Sequence, residues 1–98
     1  MKIIKAFPDE PQYSDMLKFY CPACKEYHMV SVGPKSFWRE KWTFNGNYEK
    51  PTIRASVLVE RPPILHCHSF VTDGKIQYLS DCSHEMRGQT VELPDIEN

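Results

Sequence analysis

The sequence predicts a small, mainly β domain (a small α+β fold) of antiparallel hairpins with one short helical turn. Three observations predict it. Short runs of β-branched and aromatic residues alternate with polar ones, as in Leu17–Tyr20, Tyr27–Val32 and Thr52–Val59. Asn45-Gly46 and Asp73-Gly74 supply the positive backbone φ angles that tight hairpin turns demand. Finally, Cys21-Pro-Ala-Cys24 near the front is answered by Cys67 and Cys82 at the back, so one tie can close a short chain on itself.

Taken in order, the first hairpin is Leu17–Tyr20, the cysteine pair at its tip, and Tyr27–Val32. Residues 33–41, Gly-Pro-Lys-Ser-Phe-Trp-Arg-Glu-Lys, open on a turn signal and have little β character, so they read as a loop or one short helical turn. Trp42-Thr-Phe44 leads into Asn45-Gly46 as a second hairpin. After Pro51, the segment Thr52–Val59 forms a strand that Arg61-Pro-Pro63 stops or bends. Ile64–Val71 and Lys75–Ser80 flank the Asp73-Gly74 turn. Ser83 can N-cap a helical turn over His84–Arg87, with Gly88 placed to end it. Gln89–Leu93 forms a last strand, and the tail after Pro94 is expected to fray.

Length and composition bound the answer further. Ninety-eight residues, 41% hydrophobic and 12% aromatic, suit a single domain over 1–98 with an ordered core of about 17–94. A core of that size leaves a slender stability margin, which a metal staple would widen. Twelve basic against 13 acidic side chains, a net charge of −1, exclude a general polyanion binder. The N-terminus reaches Pro8, Asp9 and Glu10 before building the apolar run of a signal peptide, and no segment approaches the roughly 20 apolar residues of a membrane span. The expectation is a soluble protein of the cytoplasm, where four cysteines serve as ligands rather than disulfides.

Two thiolates separated by two residues can hold one ion from a tight turn, and a structural Zn²⁺ takes four sulfur or nitrogen ligands in a closed tetrahedron. Cys21, Cys24, Cys67 and Cys82 are the expected set, a zinc-ribbon-like site around one structural zinc. If Asp73-Gly74 are the two loop residues, Cys67 and Cys82 lie diagonally on one face at about 7 Å. His84 is the substitute for Cys82. A thioredoxin-like redox pair would sit at the start of a helix, whereas this CxxC lies between strands.

His66 and His68 share the strand face opposite Cys67. If the cysteines are consumed by zinc, His68, Asp81 and His84, with His28 nearby, remain as a polar set for acid–base work or a second, open metal ion. The blander reading has them orient the ligands or face water. The sequence has no GxSxG, no phosphate-cradling loop and no HExxH. Trp38, Arg39, Lys41 and Trp42, with Phe37 and Lys35, interleave aromatics with charge. They can form a partner-binding surface, or the tryptophans can cap the core.

The ordered motifs Cys21-Pro-Ala-Cys24 with His28, Trp42-Thr-Phe-Asn-Gly46, Pro51-Thr52, Cys67-His-Ser-Phe70, Asp73-Gly74, Asp81-Cys-Ser-His84, Gly88-Gln-Thr-Val91 and Leu93-Pro94 resemble a family of short, uncharacterised phage and prophage proteins, some mislabelled ammonia monooxygenase. The resemblance spans about residues 19–94 and departs at Ala55, where the family tends to carry a second proline. It implies a phage or prophage origin, a host-cytosol location and a metal-binding fold. The enzyme label fails physically, because ammonia monooxygenase resembles a copper-dependent membrane assembly and this chain offers soft thiolates and no membrane segment. The sequence therefore points to a non-enzymatic phage accessory protein that binds a host macromolecule, most simply a protein, on a zinc-stabilised scaffold. A metal-dependent hydrolase or nuclease using His68, Asp81 and His84, and a nucleic-acid-binding zinc ribbon, are the alternatives.

Overall fold

A computed structural model describes residues 1–63 and 65–96. The fold is mainly β, with two antiparallel sheets. The strands are β1 (Ile4–Lys5), β2 (Met16–Cys21), β3 (Glu26–Ser31), β4 (Thr43–Phe44), β5 (Ile53–Arg61), β6 (Leu65–Thr72), β7 (Lys75–Tyr78) and β8 (Thr90–Glu92). Sheet order is β1-β2-β3 in the smaller sheet and β4-β5-β6-β7-β8 in the larger. Among the described residues no helix is long and apolar enough to cross a membrane.

Alternation builds the core. β2 buries Leu17, Phe19 and Cys21 while Lys18 and Tyr20 stay half-exposed, and β6 buries Cys67, Ser69 and Val71 while His66, His68 and Phe70 face outward. Ile53 and Val57 of β5, Ile76 and Tyr78 of β7, and Leu93 complete the larger sheet's contribution. Each side chain of this size, once buried, contributes on the order of 1.5–3 kcal/mol relative to exposure. The ordered core starts earlier than the sequence suggests, because Ile3 is fully buried and β1 pairs with β2. It also ends later: Ile96 is buried and its N–H donates to the Met1 carbonyl at 2.7 Å. Ile64, Glu97 and Asn98 lie outside the described residues.

The Asp73-Gly74 turn forms as its sequence dictates, with Thr72 opposite Lys75 and positive φ at both residues (51° and 79°). Asn45-Gly46 does not make a two-residue hairpin. It opens an eight-residue loop to β5, because Asn45 Oδ1 accepts from the N–H groups of Asn47 and Thr52 (3.2 and 3.1 Å) while its Nδ2 donates to the Lys50 carbonyl at 3.1 Å. Local side-chain bonding outcompetes the tight turn. The helical turn expected near residues 84–87 is likewise absent. Ser83 spends its hydroxyl on the backbone of His66 (His66 N–H donating at 2.9 Å) instead of capping, and only a hydrogen-bonded turn from His84 to Arg87 remains.

Candidate active site

β6 carries chemistry on both faces. On its buried face Cys67 meets Cys21 and Cys24 from the β2–β3 hairpin tip and His28 from β3, with one donor atom of each within 4.8 Å of all the others. Cys21 lies at the end of β2, so the turn that follows brings Cys24 back to it, and the Cys24 N–H donates to Cys21 Sγ at 3.3 Å. Tyr78 Oη is 3.1 Å from the same sulfur. The hydrogen bond from Cys67, opposed by burial and helped by His28 and Tyr78, pulls the Cys21 thiol down to about 3. Burial pushes Cys24 up to about 11, and Cys67 is held protonated chiefly by the proton it shares with Cys21.

These four groups can hold a metal ion. Three sulfurs and an imidazole are a closed structural-site donor set, and His28 Nε2 is buried with no hydrogen-bond partner, which a ligand role would explain. The fourth member of this group is His28, where the sequence suggested Cys82 or His84. Those two lie with Cys67 in a second group of three. Cys82 Sγ is engaged by the backbone N–H and carbonyl of His68, both at 3.2 Å, and His84 Nε2 is 3.4 Å from Cys67 Sγ. The chain turns after Leu79, so Cys82 leaves the ladder in which the sequence register had placed it.

The outer face carries a second constellation. The Ser56 hydroxyl is 2.9 Å from His68 Nε2, and His68 Nδ1 is 3.1 Å from Asp81 Oδ2. That order fixes the roles: Nδ1–H donates to the carboxylate, leaving Nε2 to accept from the serine. The ring of His66 stands beside this array, with Nε2 2.9 Å from Asp81 Oδ2 and Nδ1 3.0 Å from Glu60 Oε2. Asp81 and then Glu60 hold the His66 imidazole's pKa above its usual value, and His66 followed by His68 holds Asp81 below the usual carboxylate range.

Ser56 reaches His68 because β5 bulges. Ile53 pairs with Val71 and Val57 with Ser69, so three residues of β5 stand against Phe70 alone. Bulges re-aim side chains in this way. The Arg54 guanidinium closes the distortion, donating to the carbonyls of Ile53 and Val71 (2.9 and 3.0 Å) and to Thr72 Oγ1 at 2.9 Å. Trp42 Nε1 donates to the Ser56 carbonyl at 2.9 Å, and Trp42 is packed half-buried against the core.

Of the sequence candidates, His68 and Asp81 are brought together, but His84 is not with them. Its ring packs edge-on to Tyr78 at 4.6 Å, beside the cysteines. The trio His68, Asp81 and His84 therefore forms no single site, because His84 lies with the cysteines on the buried face while His68 and Asp81 lie on the opposite, outer one. Trp38 stands 6.3 Å from Trp42, while Arg39 and Lys41 are exposed and the Lys41 ammonium bonds carbonyls of its own loop. Ser56 was missed. It belongs to no nucleophile motif, and the only signal was an outward-facing serine on a strand destined to pair with His66-Cys67-His68.

Fold and site together define a small two-sheet β protein that pairs a Cys/His metal-type cluster with a Ser–His–Asp array. Residues 4–79 match the family model described as bacterial ubiquitination-like system serine protease (BubE), and the chain belongs to that family. The match contains Ser56 and His68 and ends two residues before Asp81. No curated protein and no solved structure matches the chain.

Proposed function

We propose that this protein is a serine hydrolase of a bacterial ubiquitination-like system, cleaving acyl bonds of a protein substrate with Ser56 as nucleophile. The hydrogen-bonded sequence Ser56 Oγ, His68 Nε2, His68 Nδ1, Asp81 Oδ2 carries the reading. Nucleophile, base and orienting group stand in the order and at the distances that acyl transfer requires. The family description supports it.

In the proposed reaction Ser56 Oγ attacks the scissile carbonyl as His68 Nε2 takes its proton. Asp81 stabilises the imidazolium that forms, and His68 returns the proton to the departing amine. Water then attacks the acyl-serine with His68 again as base, releasing the acid and restoring Ser56. His66, anchored by Glu60, keeps the Asp81 carboxylate turned toward His68. Zinc is the ion we assign to Cys21, Cys24, His28 and Cys67; bound there it would supply folding energy and no open coordination position. The free thiols of all four cysteines accord with a reducing, cytoplasmic setting. The partner surface that the sequence placed at Trp38, Arg39, Lys41 and Trp42 becomes, in this reading, a place for substrate rather than for a separate host protein.

A fluorophosphonate probe tests the proposal. Labelling mapped to Ser56, and lost in Ser56→Ala, is expected; labelling elsewhere, or none, would overturn it. One observation favours a second reading: His66, His68 and Asp81 also offer donor atoms within 4.8 Å of one another, as an open metal ion for hydrolase or nuclease chemistry would need. In that case Ser56→Ala would keep most of the activity.

A further inference from the structure

β3 ends the smaller sheet, its edge bonded at Ser31, whose carbonyl accepts from the Trp42 N–H at 2.8 Å, and beyond the short β4 the edge of β5 lies open; the two line one groove that starts at Val57, next to Ser56. β3 is the outer strand of the smaller sheet. In the larger sheet β4 covers only Ile53 and Arg54 of β5, so among the described residues Val57–Arg61 have a strand partner on one side alone. Between them runs a groove of about 190 Å³, lined by Glu26, Tyr27, His28 and Met29 of β3 and by Val57, Leu58, Val59 and Arg61 of β5, with Trp38 and Trp42 also lining it. The lining residues are consecutive on β3 (Glu26–Met29) and over Val57–Val59 of β5, with Arg61 beyond. A sheet face would contribute alternate residues, whereas an edge contributes every residue through its backbone.

We infer that this groove is the site where an extended segment of the substrate chain inserts as an added strand between β3 and β5, delivering its scissile carbonyl to Ser56. The inference rests on the serine-hydrolase reading and deepens it by naming how substrate is held. Unpaired strand edges recognise an extended peptide through main-chain hydrogen bonds, with pockets for alternate side chains. Three features commit the groove to that occupant. It begins at Val57, the residue after the nucleophile, and Trp42 at its wall donates to the Ser56 carbonyl. The Arg61–Glu26 ion pair bridges the two edges at the residues farthest from Ser56. Its volume, about that of six water molecules in the liquid, is below the roughly 300–1,000 Å³ of pockets that hold compact drug-sized ligands. A narrow channel between two strands suits a single extended chain of small side chains, and Leu58, about half exposed (48%), gives it an apolar contact.

The test uses the full chain and acyl-aminocoumarin peptides of one to five residues, with p-nitrophenyl acetate as a probe that reaches only Ser56. Turnover should rise with acyl-side peptide length. Backbone N-methylation should cost about fivefold in kcat/KM at each residue lying between β3 and β5, one lost hydrogen bond each because successive N–H groups point to β3 and β5 in turn, and much less at residues beyond the groove. Trp38→Ala should raise KM for the longer peptides more than it lowers kcat. Acetate hydrolysis with no dependence on peptide length or methylation position would overturn the groove while leaving the serine mechanism standing. Loss of acetate hydrolysis and fluorophosphonate labelling in the wild-type chain would overturn the mechanism itself. A dimer that closes the groove, recognised by peptide turnover falling as protein concentration rises, would also overturn the inference.

Discussion

The two faces of β6 show what one backbone can be made to do. Cys67 points inward to a buried cluster of thiols and imidazoles, and His66 and His68, its immediate neighbours, point outward to carboxylates and a serine. The inward face is only 1% exposed at Cys67, where a charge needs a partner or a metal. The outward face is half-open, with about a quarter of the His68 side chain and half of the Asp81 side chain exposed (26% and 52%), so that a substrate can reach it. The difference separates, in the proposed reading, a Cys/His cluster that supports the fold from a polar array beyond it that meets the substrate. The two are coupled, because Cys82 Sγ bonds both backbone groups of His68.

The most severe way to break the comparison is to remove the inner face. Chelation, or Cys67→Ser, should release about one equivalent of zinc and unfold the chain, since binding energy at such sites is on the order of 10–16 kcal/mol and is largely folding energy. Metal analysis with circular dichroism checks this, and a folded, metal-free protein would refute it. Next comes Ser56→Ala on the outer face. It should lower kcat/KM by about 10⁴-fold or more while the melting temperature stays unchanged. Asp81→Asn should cost about 10³- to 10⁴-fold in kcat through loss of the Nδ1–H donor geometry, again with intact folding. His66→Ala sharpens the contrast between the residues of one strand: it should lower kcat about ten- to a hundredfold by freeing Asp81, and His66→Gln should restore part of it. The smallest effect belongs far from β6, at the Lys2–Glu92 pair. Lys2 lowers the folded-state pKa of Glu92, so its small contribution is present above the ordinary glutamate value and fades as pH falls through the folded one. Glu92→Gln should shift the melting temperature at neutral pH by less than about 3 °C and remove that part of the acid sensitivity.

Much of the architecture was legible because hairpins are local. Leu17–Tyr20 and Tyr27–Val32 alternate clearly, and the Asp73-Gly74 turn sets its own register. Two local readings failed where a side chain had a stronger bonding option nearby: Asn45 wove a loop rather than a turn, and Ser83 bonded β6 rather than capping a helix. The inner site was legible for Cys21, Cys24 and Cys67 as residue types at a telling spacing. His28 was noted only as a neighbour, because its place in the cluster depends on the pairing of β3 with β2.

The sequence by itself determined the β hairpins, the gathering of thiols and the outward pair of histidines, since each is written in residue type and a period of two. Tertiary structure alone decided that His28 joins the cysteines, that Cys82 supports the His68 backbone, and that Ser56 faces His68. The last depends on a bulge that sets three residues of β5 against one of β6. A shift of that kind leaves no trace in either strand read alone, because it arises only when the two are paired and the surplus residues must go somewhere.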